Sequence, residues 1–252
     1  MEKFLKHYYK IMDSYRNGEL GEDHLSMGEI LEKSNAKDIF NQMSLDELNN
    51  LIDSSSAMIR PMFKNAYNQR YINIKKMVDL EDSLGHYKIE QYCENGKLSD
   101  SKLEKELRLD VQYLEKSEMP KDVEATLSPS SDEKYYGVIK ILKGSKTKFP
   151  YIHEIMHYLK DVGIGKKVER EYTRKVKGKT DSIAEQDINY LTAASVMPIS
   201  KIETYLEDFE RITGKEEEVF LRKMARQFEQ DTDAVLRRFI EVRSLVSFGY
   251  KA

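Results

Sequence analysis

Cysteine is almost absent from this chain: Cys93 is the only one among 252 residues. A single thiol excludes an intramolecular disulfide and any metal site built on cysteine. Long apolar runs are missing too, none approaching the ~20 residues that a membrane-spanning helix needs. The opening MEKFLKHYYK lacks the apolar core of a secretory signal. Nor is there a strong excess of one charge, since 41 Lys and Arg against 44 Asp and Glu leave −3. That balance offers no general ground for nucleic-acid binding. What is present suits a soluble globular protein, with 34% charged and 40% hydrophobic residues. The length allows one sizeable core or two, and a cytoplasmic location with no membrane partner is the simplest expectation.

The chain up to about residue 119 is rich in helix formers and poor in strand signals. Glycine and proline gather at its breaks, NGELGED at 17–23, Arg60-Pro61, and ENGK at 94–97. Ser44-Leu45-Asp46-Glu47 reads as a capping box, with Leu48, Leu51 and Ile52 following at helical spacing. Ser101 with Glu104 predicts a second start, opening a helix that carries Leu103, Leu107, Val111 and Leu114. Between 117 and 133, SEMPKDVEATLSPSSDE holds two prolines and four serines and reads as a linker or surface loop. Tyr136, Val138 and residues 139–142 predict a strand, with Gly144-Ser145 as the turn after it. The expected class is mostly α (α+β). It comprises a helical N-terminal region at 1–119, a linker at 120–133, a core with a short β section at 134–199, and a helical segment at 200–252.

Residues 149–161, FPYIHEIMHYLKD, contain His153, Glu154 and His157 as H-E-x-x-H, with Pro150 suited to a first helical turn. Residues four apart share a helix face, so the two imidazoles can reach one Zn²⁺. Glu154 stands beside them, where a carboxylate can take a proton from water made acidic by the metal. Ile152, Ile155, Met156 and Leu159 form an apolar stripe that would seat the helix in a core. The competing reading is two histidines that fell four apart by accident, so the third ligand matters. In DSIAEQDINYLTAASVMP, 181–198, Glu185 and Asn189 are four apart on an expected helix. Glu185 would complete a His, His, carboxylate set, and Asn189 would orient a histidine through its other ring nitrogen. Against this, Ser182-Ile183-Ala184-Glu185 is itself a capping-box pattern, which would give Glu185 a purely structural task. Glu169, Glu171 and Asp187 are further candidates for the third ligand. His7, His24 and His86 stand alone and read as ordinary residues.

Together the two segments resemble the ImmA/IrrE family of metallopeptidases. KFPYIHEIMHYLKD, 148–161, is similar to that family's R-F-T-l-A-H-E-l-G-H-y-l-l-H. EQDINYLTAASVMP, 185–198, is similar to E-x-E-A-N-x-F-A-A-x-L-L-M-P, without a gap. The likeness covers roughly residues 134–246. Met156 stands where the family usually has glycine, and Asp187-Ile188 where it has Glu-Ala; neither change removes a ligand. The resemblance implies a zincin-like metallopeptidase core at 134–199, with Zn²⁺ held by His153, His157 and Glu185 in a gluzincin-like set. It implies Glu154 as the catalytic residue and a zinc metalloendopeptidase acting on a protein substrate, typically a helix-turn-helix repressor of a mobile element or stress regulon. The competing class is a non-catalytic DNA- or protein-binding regulator whose zinc site is structural or decayed.

Between the two segments runs GKKVEREYTRKVKGK, 165–179, with seven Lys or Arg against two Glu. It reads as a solvated, irregular loop or as the edge of a cleft that attracts an acidic partner. Tyr172 within it is a candidate donor to an oxyanion. Ser200-Lys201-Ile202-Glu203 reads as another capping box, opening a helix to about 212. Residues 220–246 then carry a helix-turn-helix cadence in which Arg222, Lys223, Arg226, Arg237, Arg238 and Arg243 could meet phosphates. Interleaved acids make packing or substrate docking the better expectation there than direct DNA binding.

Overall fold

The structure, a computed structural model, describes residues 40, 43–55, 60–94, 97–145, 148–175 and 182–251. His7, His24 and the break expected at 17–23 lie outside the described residues. The chain divides into two compact units, Met1–Lys76 and Met77–Ala252. Residues 77–119, grouped above with the N-terminal region, therefore belong to the second unit.

In the first unit, α1 (Leu45–Ser54) starts at the expected capping box. The Ser44 hydroxyl accepts from the Glu47 amide at 3.1 Å, and the Glu47 carboxylate accepts from the Ser44 amide at 2.8 Å. Leu48 is fully buried with Phe40, Met43 and Phe63, and Leu51 and Ile52 pack against that cluster. The long helix α2 (Arg60–Tyr87) contributes its first part here, with Arg70 Nε donating to the Met43 carbonyl at 3.3 Å.

The second unit departs from the expected helices early. After α2 and a 3₁₀ turn at Ile89–Tyr92, β1 (Cys93–Glu94) and β2 (Lys97–Leu98) form a small antiparallel pair. Ser99, rather than Ser101, caps a short helical segment, Asp100–Lys102. A turn of π-helix, Leu103–Leu107, follows, and Arg108 reverses the chain with φ of 53°. Leu109–Leu114, expected to continue the helix, is instead strand β3. Leu107, Val111 and Leu114 satisfy a helical period, but Leu109 and Val111 equally satisfy the period of two. Pairing with a distant strand decides between them.

That partner is β5 (Gly137–Leu142), the strand expected from sequence, followed by a turn at Gly144 with φ of 80°. The segment 120–133, expected as a linker or loop, contains β4 (Val123–Ser128), most of it buried. Pro120 and Pro129 stand just outside its ends, so the composition that suggested a loop marks the limits of a strand whose interior reads VEATLS. The basic span 165–179, expected to be irregular, includes β6 (Tyr172–Lys175). The strand order is β3-β5-β4-β6, with β3 parallel to β5 and the remaining pairs antiparallel. Gly137 is required by close packing, since a Cβ there would meet Val168 Cγ2 at 2.5 Å.

α3 (Phe149–His157) packs against β4, β5 and β6. Its stripe of Ile152, Ile155, Met156 and Leu159 joins Leu127, Ile139 and Leu191 in the main core, where each fully enclosed side chain contributes about 1.5–3 kcal/mol. α4 (Ile183–Val196) lies against α3. Next comes α5 (Ile199–Arg211), which begins directly after Pro198; Ser200, expected as its cap, sits inside the helix. α6 (Lys215–Phe228) and α7 (Thr232–Ser247) complete the unit, and the rings of Phe209, Phe220 and Phe239 meet between these last helices. The protein is thus mostly helical with a small mixed sheet, as the α+β class requires. No helix among the described residues is long and apolar enough to cross a membrane.

Candidate metal centre

Pro150 occupies the first turn of α3, where its missing N–H leaves no bond unmade. One turn on, His153 and His157 present their rings to each other with centroids 4.9 Å apart. His153 and Glu154 have no exposed surface, and His157 has 5%. Phe149 stacks on His153 at 6.1 Å, and Tyr172 from β6 lies against His157 at 4.7 Å. α3 thus supplies the imidazoles and the edge strand a wall.

Glu185 comes from the first turn of α4, where only half of the expected capping box forms. Its backbone amide donates to the Ser182 hydroxyl at 3.2 Å, which caps the helix. Its carboxylate goes to the histidines instead: Oε1 is 2.8 Å from His153 Nε2, and Oε2 is 3.2 Å from His157 Nε2. His153, His157 and Glu185 each offer a donor atom, and these atoms lie within 4.8 Å of one another. Tetrahedral ligands about 2.0–2.2 Å from zinc stand about 3.3–3.6 Å apart, somewhat wider than the two Glu185 contacts and inside the 4.8 Å that spans the three donors. The other candidates are placed differently. Glu169 and Glu171 are exposed, Glu171 accepting from Thr173, and Asp187 pairs with Lys160 at 3.5 Å.

The electrostatics favour a cation at this point. Burial works against a charged His157, but hydrogen bonds to Asp161 and Glu185 and the charge of Glu154 outweigh it and lift its pKa to about 9. Burial likewise opposes the Glu185 carboxylate, yet the bonds to His153 and His157 hold it far below the usual carboxylate range. The carboxylates thus favour the charged form of His157.

Asp161 is the residue that sequence reading passed over. Its Oδ2 lies 2.8 Å from His157 Nδ1, the ring nitrogen that does not face Glu185. Asn189 is half-buried on α4, one turn beyond Glu185. The signal for Asp161 was available, because it stands four residues after His157, the same spacing that joins the two histidines. Among the cations considered for phosphate contact, Arg238 is fully enclosed and Arg222 pairs with Glu218. No protein-family model, no curated protein and no solved structure matches the chain.

Proposed function

We propose that the chain is a zinc-dependent endopeptidase of the ImmA/IrrE type, with a zincin-like core, acting in the cytoplasm on a protein substrate. One observation carries this reading: Glu185 converges on both motif histidines although it lies 32 residues from the first of them. A carboxylate distant in the chain that reaches both Nε2 atoms supports a metal site beyond what the local motif does. His153, His157 and Glu185 would hold Zn²⁺. When bound, the metal supplies a Lewis acid that lowers the pKa of water to about 7 and polarises a carbonyl.

Glu154, enclosed beside His153, is the proposed base that takes a proton from the attacking water and passes it to the leaving amine. Tyr172, packed on His157, is the proposed donor to the oxyanion. Among the described residues β6 ends the sheet, and an extended peptide can add to such an edge, which would carry its backbone past Tyr172. The substrate follows from the resemblance: a helix-turn-helix repressor of a mobile element or stress regulon, cleaved to switch genes on. The α6–α7 pair then serves packing or substrate docking, with fewer cations for DNA than the sequence offered.

Zinc content and cleavage of a repressor encoded beside this gene, compared between wild type and Glu154→Gln, test the reading. Both proteins should hold zinc, and the variant should lose about 10²–10⁴-fold in turnover. A wild type that gains no zinc at stoichiometric supply removes the proposal. Zinc without cleavage by the wild type would favour the regulator with a structural site.

A further inference from the structure

Resting on the reading of the three donors as a metal site, we propose that Asp161 is the positioning residue that commits His157 to bind metal through Nε2. His157 Nδ1 and Asp161 Oδ2 are 2.8 Å apart. An ionised carboxylate only accepts, so the hydrogen between these atoms belongs to Nδ1. The imidazole that would bind a metal is neutral and keeps one hydrogen, and fixing that hydrogen on Nδ1 leaves the lone pair to Nε2, the nitrogen facing Glu185. Asp161 is not a fourth ligand, because it holds the nitrogen on the other side of the ring. The bond also opposes rotation of the ring, since a flip would carry Nδ1 away from its acceptor.

Asp161 stands four residues after the second histidine, in a turn where the helix changes type. Tyr158–Val162 forms a turn of π-helix, closed by the Gly163 amide donating to the Tyr158 carbonyl at 2.8 Å. Gly163 has φ of 93°, a conformation suited to glycine. The buried Tyr158 anchors the turn, its hydroxyl donating to the Leu107 carbonyl and accepting from the Gly165 amide, each at 3.3 Å. Lys160, from the same turn, pairs at 3.5 Å with Asp187, two residues after Glu185 on α4. One short turn thus orients a histidine and ties itself to the helix that bears the carboxylate ligand.

The test uses the full chain as wild type, Asp161→Ala and Asp161→Asn. Zinc affinity is measured by chelator competition, and the His157 ring nitrogens are observed by ¹⁵N NMR in the zinc-loaded protein. Wild type should bind zinc through Nε2 and keep a protected hydrogen on Nδ1. Asp161→Ala should bind about 10–100-fold more weakly and lose that protection. Asp161→Asn keeps an oxygen that can accept from Nδ1, so it should recover part of the loss, which a purely structural role would not require. Wild-type affinity in Asp161→Ala, or zinc on Nδ1 in the wild type, overturns the proposal while leaving the metal site intact. Should Asp161→Ala fail to fold, the wild-type spectrum and the Asn variant still decide. A wild type that takes up no zinc overturns both the metal-site reading and this proposal.

Discussion

The second unit contains two buried polar clusters, and they meet the same electrostatic problem in opposite ways. Around Arg238 the positive charge is permanent. Its Nη2 lies 2.6 Å from Glu81, Nη1 lies 3.5 Å from Glu241, and Nε donates to the Met197 carbonyl at 3.0 Å. Tyr190 adds its ring beneath the guanidinium and a hydroxyl bond to Glu81 at 2.7 Å. At the candidate metal centre, Glu154, Glu185 and Asp161 lie around the two histidines, and the charge that the raised pKa of His157 favours is one that a proton can carry or leave. The first cluster ties α2, α4 and α7 together. On the proposed reading, the second would exchange a proton for a metal ion. Burial alone therefore does not separate the two clusters; the permanence of the positive charge does.

Removing the permanent cation should produce the largest change. Arg238→Met leaves Glu81 and Glu241 without it and should lower stability by about 3–5 kcal/mol in denaturant unfolding. Zinc affinity per folded molecule should be unchanged, and a parallel loss would show that the clusters act as one. Glu185→Gln comes next. Its amide still meets the Ser182 hydroxyl, so the fold should persist. Losing an anionic ligand should weaken zinc on the order of 100-fold or more, beyond the ~10–100-fold of an outer-shell change. Activity should partly return at high zinc. Unchanged zinc occupancy would return the search to Glu169, Glu171 or Asp187.

Acidity offers a third comparison. His157 has a raised pKa in the metal-free protein, so protonation stabilises that form. The contribution is complete below the ordinary value of 6.5 and is lost as pH rises through about 9. Zinc must displace this proton, so its apparent affinity should fall about tenfold for each pH unit below that value. Chelator competition across neutral pH checks the slope, and a flat profile would contradict it. The smallest effect is expected from Ser182→Ala, which removes the cap of α4 at about 1 kcal/mol while zinc content stays the same.

Much of the centre was legible because it is local. His153, Glu154 and His157 lie within one helical turn, and the rule that pairs residues four apart applies without knowledge of the rest of the chain. The same rule reaches Asp161, but only when the helix is followed one turn past the motif. Glu185 was legible as one carboxylate among several. Its carboxylate turns to the histidines rather than back to the Ser182 amide, a choice that no residue pattern contains.

The sequence by itself determined the mostly helical character, the helix carrying both histidines, the strand before it and the Ser44 cap. Each depends on interactions within a few residues, so composition and period are enough to specify them. Tertiary structure alone decided that 109–114 and 123–128 are strands, that Arg238 is enclosed, and that Glu185 rather than Asp187 reaches the histidines. Strand pairing and the convergence of side chains bring together residues far apart in the chain. Their energy comes from partners that a local pattern does not contain, and for this reason β3 followed its pairing with β5 against its helical spacing.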